Sequence, residues 1–217
     1  MEPAYLSNLL SGYAPLRALD ETGLVIHQAN DFFILWDAME QLTATVCPAP
    51  FWAIVWPANR LLSRYILANR TIVSDKTVLD IGCGCGAASI AAACAGAREV
   101  VADDIDPIAL SVSHENAHAN NVDIITSNIN LLENPPDHFF DVILLADMFY
   151  EASATSPLFT FLHEQVRRGS GVYIADAGRP FTPRERLEPL MKATFDVDPD
   201  VEGVGTRTST LYQLTDI

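Results

Sequence analysis

A glycine-rich turn between two apolar segments is the part of this sequence best suited to hold a ligand. The stretch VLDIGCGCG, Val78 to Gly86, places Asp80 near the end of an apolar run and then alternates glycine with cysteine. Glycine lets the backbone approach a ligand closely and adopt positive φ angles. The spacing lacks the G-x-G-x-x-G of dinucleotide sites and the lysine of a phosphate-binding loop. We therefore expect Asp80, Gly82 and Gly84 to bind a ligand that has no phosphate group.

Acidic and amide side chains follow the next two apolar segments. The segment VVADDIDP contains Asp104, and an acidic residue about 20 positions beyond a glycine loop binds the ribose in folds of this kind. We choose Asp104 over Asp103 because Asp106 and Pro107 have the sequence of a helix start; alternatively, all three aspartates only form the turn. Asn128, after VDIITS, is expected to bind an adenine amino group, unless it is a polar turn residue. An adenosine ligand without phosphate fits S-adenosylmethionine.

Alternating strands and helices are needed to bring these residues together. The apolar runs predict five strands and a closing antiparallel pair, in chain order TVLDI, REVVAD, VDIITS, FFDVILLAD, GVYIAD, TFDVD and TRTSTLYQL. Helices are predicted between them, including Pro107 to Asn120, Pro157 to Arg168 and Thr182 to Lys192. Alternation at this pitch predicts an α/β fold, a Rossmann-like parallel sheet with helices on both faces.

The residues before this alternation are expected to form a helical extension. Apolar residues recur at helical spacing from Asp31 to Leu42, with Asp31 as a candidate N-cap. Pro57 stands where the first turn of a helix tolerates proline. We therefore divide the chain into an extension, residues 1–70, and a ligand-binding domain, residues 71–217, which together form one compact unit.

Charge and hydropathy exclude several classes of partner. The net charge is −15 and only 13 residues are lysine or arginine, which disfavours nucleic acid and favours a basic protein segment. No apolar run reaches the roughly 18–20 residues of a membrane span, so we expect no membrane contact. The amino terminus lacks the features of a secretory signal or a presequence. We expect a cytoplasmic bacterial protein, or a mitochondrial matrix protein whose presequence has been removed.

Several segments, in order, resemble the cofactor motifs of the seven-β-strand methyltransferases: VLDIGCGCG, ADDIDPIAL, HENAHANN and SNINLL. PFWAIVWPANRLLSRYIL and LLADMFYE narrow the resemblance to the protein-lysine methyltransferases that modify the β subunit of electron-transfer flavoprotein, and GRPFTPRERL and TSTLYQL fit the same group. The resemblance covers nearly the whole chain after residue 30. It implies a seven-stranded class I methyltransferase sheet, S-adenosylmethionine as cofactor, S-adenosylhomocysteine as product, and a lysine of that subunit as acceptor.

The resemblance also implies roles for individual residues. Trp56 would lie beside the cofactor and Ala146 would line its methyl end. Asp147 and Tyr150, in D-M-F-Y, match the D/E-x-x-Y/F motif and would hold and orient the acceptor lysine, with Phe149 as a further wall. Without the resemblance, Trp56 reads equally as a core aromatic and Asp147 as a helix cap. The absence of N/D-P-P-Y argues against bases and glutamine amides as acceptors.

Other functions stay open on the sequence alone. They are methylation of a ribosomal protein or a small molecule on the same fold, and a binding module that keeps the cofactor without catalysis. His114 to His118 reads H-E-x-x-H, a zinc pattern when both histidines share a helix face. We expect no metal, because this helix belongs to the strand–helix–strand unit after the ribose strand and its polar face should be solvated.

Overall fold

A seven-stranded sheet forms the centre of the computed structural model, which describes residues 3–131, 133, 136 and 138–215. The helices are α1 Pro3–Tyr13, α2 Phe32–Thr43, α3 Pro57–Ala68, α4 Ala87–Cys94, α5 Pro107–Ala119, α6 Ala152–Arg167 and α7 Pro199–Glu202. The strands are β1 Leu16–Ala18, β2 Val25–His27, β3 Thr77–Ile81, β4 Glu99–Asp103, β5 Ile125–Ser127, β6 Val142–Ala146, β7 Gly171–Asp176, β8 Leu187–Asp196 and β9 Thr206–Leu214. The spatial order of the large sheet is β5-β4-β3-β6-β7-β9-β8.

The predicted α/β architecture is confirmed. Strands β3 to β7 pair in parallel, while β9 runs antiparallel to both β7 and β8, as expected for a closing pair. Alternate residues of the central strands enter two different cores, because successive side chains of a strand point to opposite faces. Val78 and Leu144 pack with α3 and α4, whereas Leu79 and Leu145 pack with α6. Burial on both faces explains why these strands read as continuous apolar runs.

The helix predicted from Thr182 to Lys192 is wrong. A single 3₁₀ turn spans Arg184–Arg186, and the chain then continues directly as β8. Pro189 would remove a backbone hydrogen bond inside such a helix, but an edge strand accepts proline. The register with β9 shifts between Pro189 and Met191, so the irregularity falls where the proline lies.

The first 70 residues contain the predicted helices and also a hairpin that was not predicted. The Asp31 side chain accepts a hydrogen bond from the backbone nitrogen of Ile34 at 2.9 Å, which confirms it as the N-cap of α2. Pro57 begins α3 as expected. The short antiparallel pair β1–β2 departs from the helical prediction. Helix α3 contributes to the same core as β3. This packing does not test the proposed division of the chain at residue 70, which stays a prediction.

One face of α5 is buried by this hairpin, a contact that the sequence did not predict. Asn116 accepts a hydrogen bond from the backbone nitrogen of His27 at 2.8 Å and donates to the carbonyl of Cys85 at 2.9 Å. Asn120 accepts from the nitrogen of Val25 at 2.9 Å and donates to its carbonyl at 2.6 Å. His114, Glu115 and His118 of the same helix are exposed as expected. In the part of the chain that is described, no helix combines the length and hydropathy needed to cross a membrane.

Candidate active site

The loops that follow β3, β4 and β6 leave the sheet at one edge. Ile81 pairs with Asp103 of β4 and with Leu145 of β6, so the carboxyl ends of the three strands lie side by side. In open α/β sheets, ligands bind in the crevice outside the carboxyl ends of the strands. The topology therefore brings most of the predicted site residues to this edge: Asp80, Gly82, Gly84, Asp104, Asn128, Ala146 and Asp147.

Asp104 is bound directly to the glycine loop. Its Oδ2 accepts a hydrogen bond from the backbone nitrogen of Gly84 at 2.9 Å, and its Oδ1 accepts from that of Asp106 at 2.9 Å. Asn128 Nδ2 donates to the backbone carbonyl of Asp104 at 2.7 Å. Burial raises the pKa of Asp104, while the two backbone donors oppose the shift. The loops after β3, β4 and β5 thus form one connected surface.

The neighbouring residues Asp103, Asp104 and Asp106 make different hydrogen bonds. Asp106 is the N-cap of α5 and accepts from the backbone nitrogen of Ile108 at 2.8 Å. Asp103 is buried and accepts from the nitrogen of Ile129 at 3.1 Å. The Asp104 side chain accepts from the nitrogen of Gly84 in the glycine loop, and it also accepts from the nitrogen of Asp106, as a turn residue does. Its predicted contact with ribose stays a prediction.

Asp80 lies fully inside the protein beneath the loop. It is 1% exposed, and Ser89 Oγ donates to its Oδ2 at 2.5 Å. Burial raises the pKa of this carboxyl to about 6, although the hydrogen bonds from Ser89 act in the opposite direction. A carboxylate at this depth is a strong acceptor for a cationic ligand group.

Stability should therefore depend on pH through Asp80. Its folded-state pKa is raised from 3.8 to about 6, so its contribution is full below the unfolded pKa and is lost as the pH rises through about 6. At roughly 1.4 kcal/mol per pKa unit, the change is ~3 kcal/mol. We expect the free energy of unfolding of Asp80→Asn, relative to that of the native protein, to increase between about pH 4 and about pH 6.5 and then to level off, as measured by urea unfolding. A difference that does not vary with pH would contradict this assignment.

The glycines of the loop are required for two different reasons. Gly82, Gly84 and Gly86 have φ angles of +67°, +53° and +78°, a region that side chains disfavour. A Cβ atom on Gly86 would lie 2.7 Å from Ser113 Cβ and 3.2 Å from its Cα. Around Gly84 the nearest atom to such a Cβ is Trp52 Cα at 4.0 Å. The backbone at Gly84 is therefore open to a ligand, whereas Gly86 is packed against α5.

Alanine substitutions should separate these two requirements. Gly84→Ala should lose about 1–2 kcal/mol of unfolding free energy through its φ angle. Gly86→Ala should lose a further ~1–3 kcal/mol, because the contact with Ser113 involves backbone and cannot relax by a side-chain rotation. Urea unfolding of both variants measures the difference. Equal losses would show that the loop has room at Gly86.

Asp147 follows β6 directly and has a φ angle of +56°. Its Oδ1 accepts hydrogen bonds from the backbone nitrogen of Ala177 and from Arg179 Nε, both at 2.9 Å. Its Oδ2 is buried and lacks a partner among the described residues. Burial raises the pKa of Asp147, and the Arg179 guanidinium counteracts this. The N-cap of α6 is Glu151, so Asp147 is not the helix cap that its position also suggested.

Aromatic rings border the same edge of the sheet. The Phe51 ring centroid lies 5.9 Å from that of Trp56 and 6.4 Å from that of Tyr150. Trp56 Nε1 donates to the carbonyl of Phe51 at 2.8 Å. Burial, followed by the charges of Asp104 and Glu151, raises the pKa of Tyr150, so its hydroxyl stays protonated.

Burial corrects one of the aromatic expectations. Trp52, at 1% exposure, is a core aromatic, while Trp56 is only partly buried. Phe149 was expected as a wall of the acceptor site, but it is fully buried and its ring lies 6.5 Å from that of Phe159. Tyr150 is 53% exposed and remains available to an acceptor.

Sequence reasoning missed Phe51, Met148 and Arg179. Met148 lies over the glycine loop, since a Cβ on Gly82 would collide with its Sδ. Arg179 pairs with Asp147 and its Cζ lies 5.3 Å from the centroid of the Trp56 ring. The position of Arg179 shortly after β7, at the edge where the other site residues gather, was the available signal.

The hydrogen-bonding groups at this edge suit the expected cofactor. The open backbone at Gly84 admits an extended ligand, and Asp80 and Asp104 are carboxylates, which accept from hydroxyl and ammonium groups. This set matches an adenosine joined to an amino acid and does not match a phosphate. Within the described ranges, no group of three or more His, Cys, Asp and Glu is arranged to hold a metal ion. That the protein needs no metal stays a prediction.

Known proteins share this fold and much of this sequence. A sequence profile of the ribosomal protein L11 methyltransferase (PrmA) family matches residues 63–153. The magnesium protoporphyrin IX methyltransferase of Synechocystis PCC 6803, solved with bound S-adenosylmethionine, superposes with a TM-score of 0.55 at 15% identity. The aligned part is 72% of this chain and 78% of that one. This likeness confirms the class I methyltransferase fold.

Relatives of higher identity identify the family. The electron transfer flavoprotein beta subunit lysine methyltransferase of Mus musculus is 38% identical over 171 residues, and that of Xenopus laevis is 39% identical over 171 residues. Each match covers 75% of this chain, with 66% of the mouse protein and 68% of the Xenopus protein. The chain thus spans slightly under two thirds of the mouse relative's length. It belongs to the family of the electron transfer flavoprotein beta subunit lysine methyltransferases.

Proposed function

We propose that this protein transfers a methyl group from S-adenosylmethionine to lysine side chains of the beta subunit of electron transfer flavoprotein. The observation that carries the proposal is the Asp147 carboxylate, which is buried at the end of β6 and has one oxygen free of partners in the described part of the chain. An anionic acceptor near aromatic rings suits an alkylammonium group. The family of the chain and its net charge of −15 support a protein substrate with basic side chains.

The cofactor would lie along the loops at the carboxyl ends of β3, β4 and β5. Asp104 would accept hydrogen bonds from the ribose hydroxyls. Asn128 already donates through Nδ2, so its Oδ1 is the atom suited to accept from the adenine amino group. Asp80 and the backbone at Gly82 and Gly84 would hold the amino acid part, with Trp56 and Ala146 near the methyl group. When bound, S-adenosylmethionine supplies a methyl carbon activated by a positive sulfur.

The acceptor lysine would enter from the side of Asp147 and Tyr150. Its ammonium has a pKa near ~10.4 in water and must lose a proton before its nitrogen can attack. Asp147 Oδ2 would bind the entering ammonium, and the ring and hydroxyl of Tyr150 would orient it. Exclusion of water at this edge lowers the pKa of an amine. Most of the rate should come from alignment of the nitrogen with the methyl carbon.

A labelled-cofactor experiment tests the function. We expect purified protein, incubated with labelled S-adenosylmethionine and electron transfer flavoprotein, to label lysines of the beta subunit and to release S-adenosylhomocysteine. A cell extract in a parallel reaction reveals other acceptors. Label in a ribosomal protein is the second candidate result, which the match to the L11 methyltransferase profile favours. Cofactor binding without any product in either reaction would indicate a non-catalytic module and would contradict the proposal.

The expected absence of nucleic-acid and membrane partners belongs to the same proposal. It is supported by the acidic composition, with 28 Asp and Glu against 13 Lys and Arg. The cytoplasmic location stays a prediction from the sequence.

A further inference from the structure

The side chain of Arg179 connects three separate segments of the site. Its Nε donates to Asp147 Oδ1 at 2.9 Å, and its Nη2 lies 3.5 Å from Glu202 Oε1 on α7. Its Cζ lies 5.3 Å from the centroid of the Trp56 ring. The guanidinium therefore touches the proposed acceptor carboxylate, the aromatic residue before α3 and the connection between β8 and β9.

Arg179 is itself held firmly. The side chain of Glu202 is buried and is bound by Arg207, whose Nε lies 2.9 Å from Oε2 and whose Nη2 donates to the Glu202 carbonyl at 2.9 Å. The Arg179 backbone nitrogen donates to Asp176 Oδ1 at 3.0 Å. A guanidinium fixed by two acidic side chains, its own backbone and an aromatic face has little rotational freedom.

This arrangement determines which oxygen of Asp147 is available. Oδ1 is occupied by Arg179 and by the backbone nitrogen of Ala177. Oδ2 is buried with no described partner, a state that costs free energy unless a donor arrives. With the carboxylate held through Oδ1, Oδ2 keeps one direction and cannot rotate away.

We propose that Arg179 is a positioning residue that fixes Asp147 through Oδ1 and so presents Oδ2 to the acceptor ammonium. The inference rests on the proposed function, since it assigns Asp147 to the acceptor. Arg179 acts through Asp147 and does not itself contact the lysine. Its contact with the Trp56 ring links the position of the carboxylate to the wall of the site.

A double-mutant cycle distinguishes this role from a purely structural ion pair. Arg179→Met should reduce kcat for lysine methylation at least tenfold while KM for S-adenosylmethionine stays within twofold. In the Asp147→Asn background the same substitution should have less than a twofold effect, because the group through which Arg179 acts is already lost. Equal losses in both backgrounds would overturn the proposal. A loss confined to KM for the cofactor would overturn it as well.

If Arg179→Met does not fold, Arg179→Lys can replace it in the double-mutant cycle. Lysine retains the charge but lacks the planar fork that contacts Asp147 and Glu202 together. We expect it to fold, to lose several-fold in kcat with Asp147 present, and to change little in the Asp147→Asn background. Full activity of Arg179→Lys would show that a positive charge at this position is sufficient. It would contradict the proposal that the planar guanidinium positions Asp147.

Arg186→Met is the matched control, because it removes a positive charge from the same segment between β7 and β8. The described partners of the Asp147 carboxylate are Ala177 and Arg179. Arg186, by contrast, is exposed and its Cζ lies 4.8 Å from the centroid of the Phe159 ring. Its kcat should remain within twofold of the native value, and an equal loss at Arg186 would overturn the assignment to Arg179. Inactivity of the native protein toward every lysine acceptor would instead contradict the proposed function, and this inference with it.

Discussion

Replacing Asp147 by asparagine is expected to reduce lysine methylation by about 100-fold or more, the size of effect seen when one charge-stabilising group is removed from an active site. Asparagine tolerates the φ angle of +56° at this position. Its oxygen can still accept from the backbone nitrogen of Ala177, which is now 2.9 Å from Oδ1. Shape is therefore kept and the negative charge is lost. Affinity for S-adenosylmethionine should change by less than about threefold.

The measurement pairs methylation rate with calorimetric binding of the cofactor and with the melting temperature of the same samples. Asp141→Asn is the matched control, because Asp141 precedes β6 at the opposite end of the strand that Asp147 follows. Asp141 also accepts hydrogen bonds, from Thr77 nitrogen and Oγ1 at 2.8 and 2.9 Å. It should change stability without changing turnover of the folded protein. Near-native methylation by a folded Asp147→Asn variant would exclude Asp147 from the acceptor site.

Asp104→Ala is expected to weaken S-adenosylmethionine binding by about 1.5–3 kcal/mol, the range for hydrogen bonds to a charged group. The predicted ribose contacts are lost. In addition, the nitrogen of Gly84 loses the acceptor at 2.9 Å that ties the glycine loop to β4. Asp104→Asn should lose affinity as well, because its amide NH₂ must face either Gly84 or Asp106, both of which are donors here.

Calorimetry with S-adenosylmethionine and S-adenosylhomocysteine measures this loss. Asp106→Ala provides the comparison, since it removes the N-cap of α5 and should lower stability by about 0.5–2 kcal/mol with little change in cofactor affinity. If Asp104→Ala bound the cofactor normally and Asp106→Ala did not, the assignment of the two aspartates would have to be exchanged.

The parts of the fold and site that the sequence predicted are those with a local signature. The central strands are buried on both faces and so read as short apolar runs. The glycine loop was recognisable because positive φ angles at Gly82, Gly84 and Gly86 leave glycine as the suitable residue. Asp106 could be separated from Asp104 because Pro107 marks the first turn of a helix.

Contacts between distant segments had no such signature. Arg179 and Asp147 are 32 residues apart, and no local pattern says which arginine pairs with which carboxylate. In D-M-F-Y, the positive φ of Asp147 ends the alternation of β6. Phe149 therefore enters the core while Tyr150 faces outward, which strand periodicity cannot anticipate. The helix expected in place of β8 failed because pairing with β9 outweighed the helix propensity of Glu188 and Met191.

The side-chain amides of Asn116 in α5 and of Asn120 at its C-cap make the hairpin β1–β2 part of the framework that supports the glycine loop. Asn116 binds the carbonyl of Cys85 and the backbone nitrogen of His27, and Asn120 binds both the nitrogen and the carbonyl of Val25. The sheet with its cofactor loop is consequently not a module that can be excised or grafted alone. Removing the segment before α3 would leave the side-chain oxygens of Asn116 and Asn120 without their backbone donors, so insertions and deletions in this family should avoid both β2 and the turn of α5 that faces it.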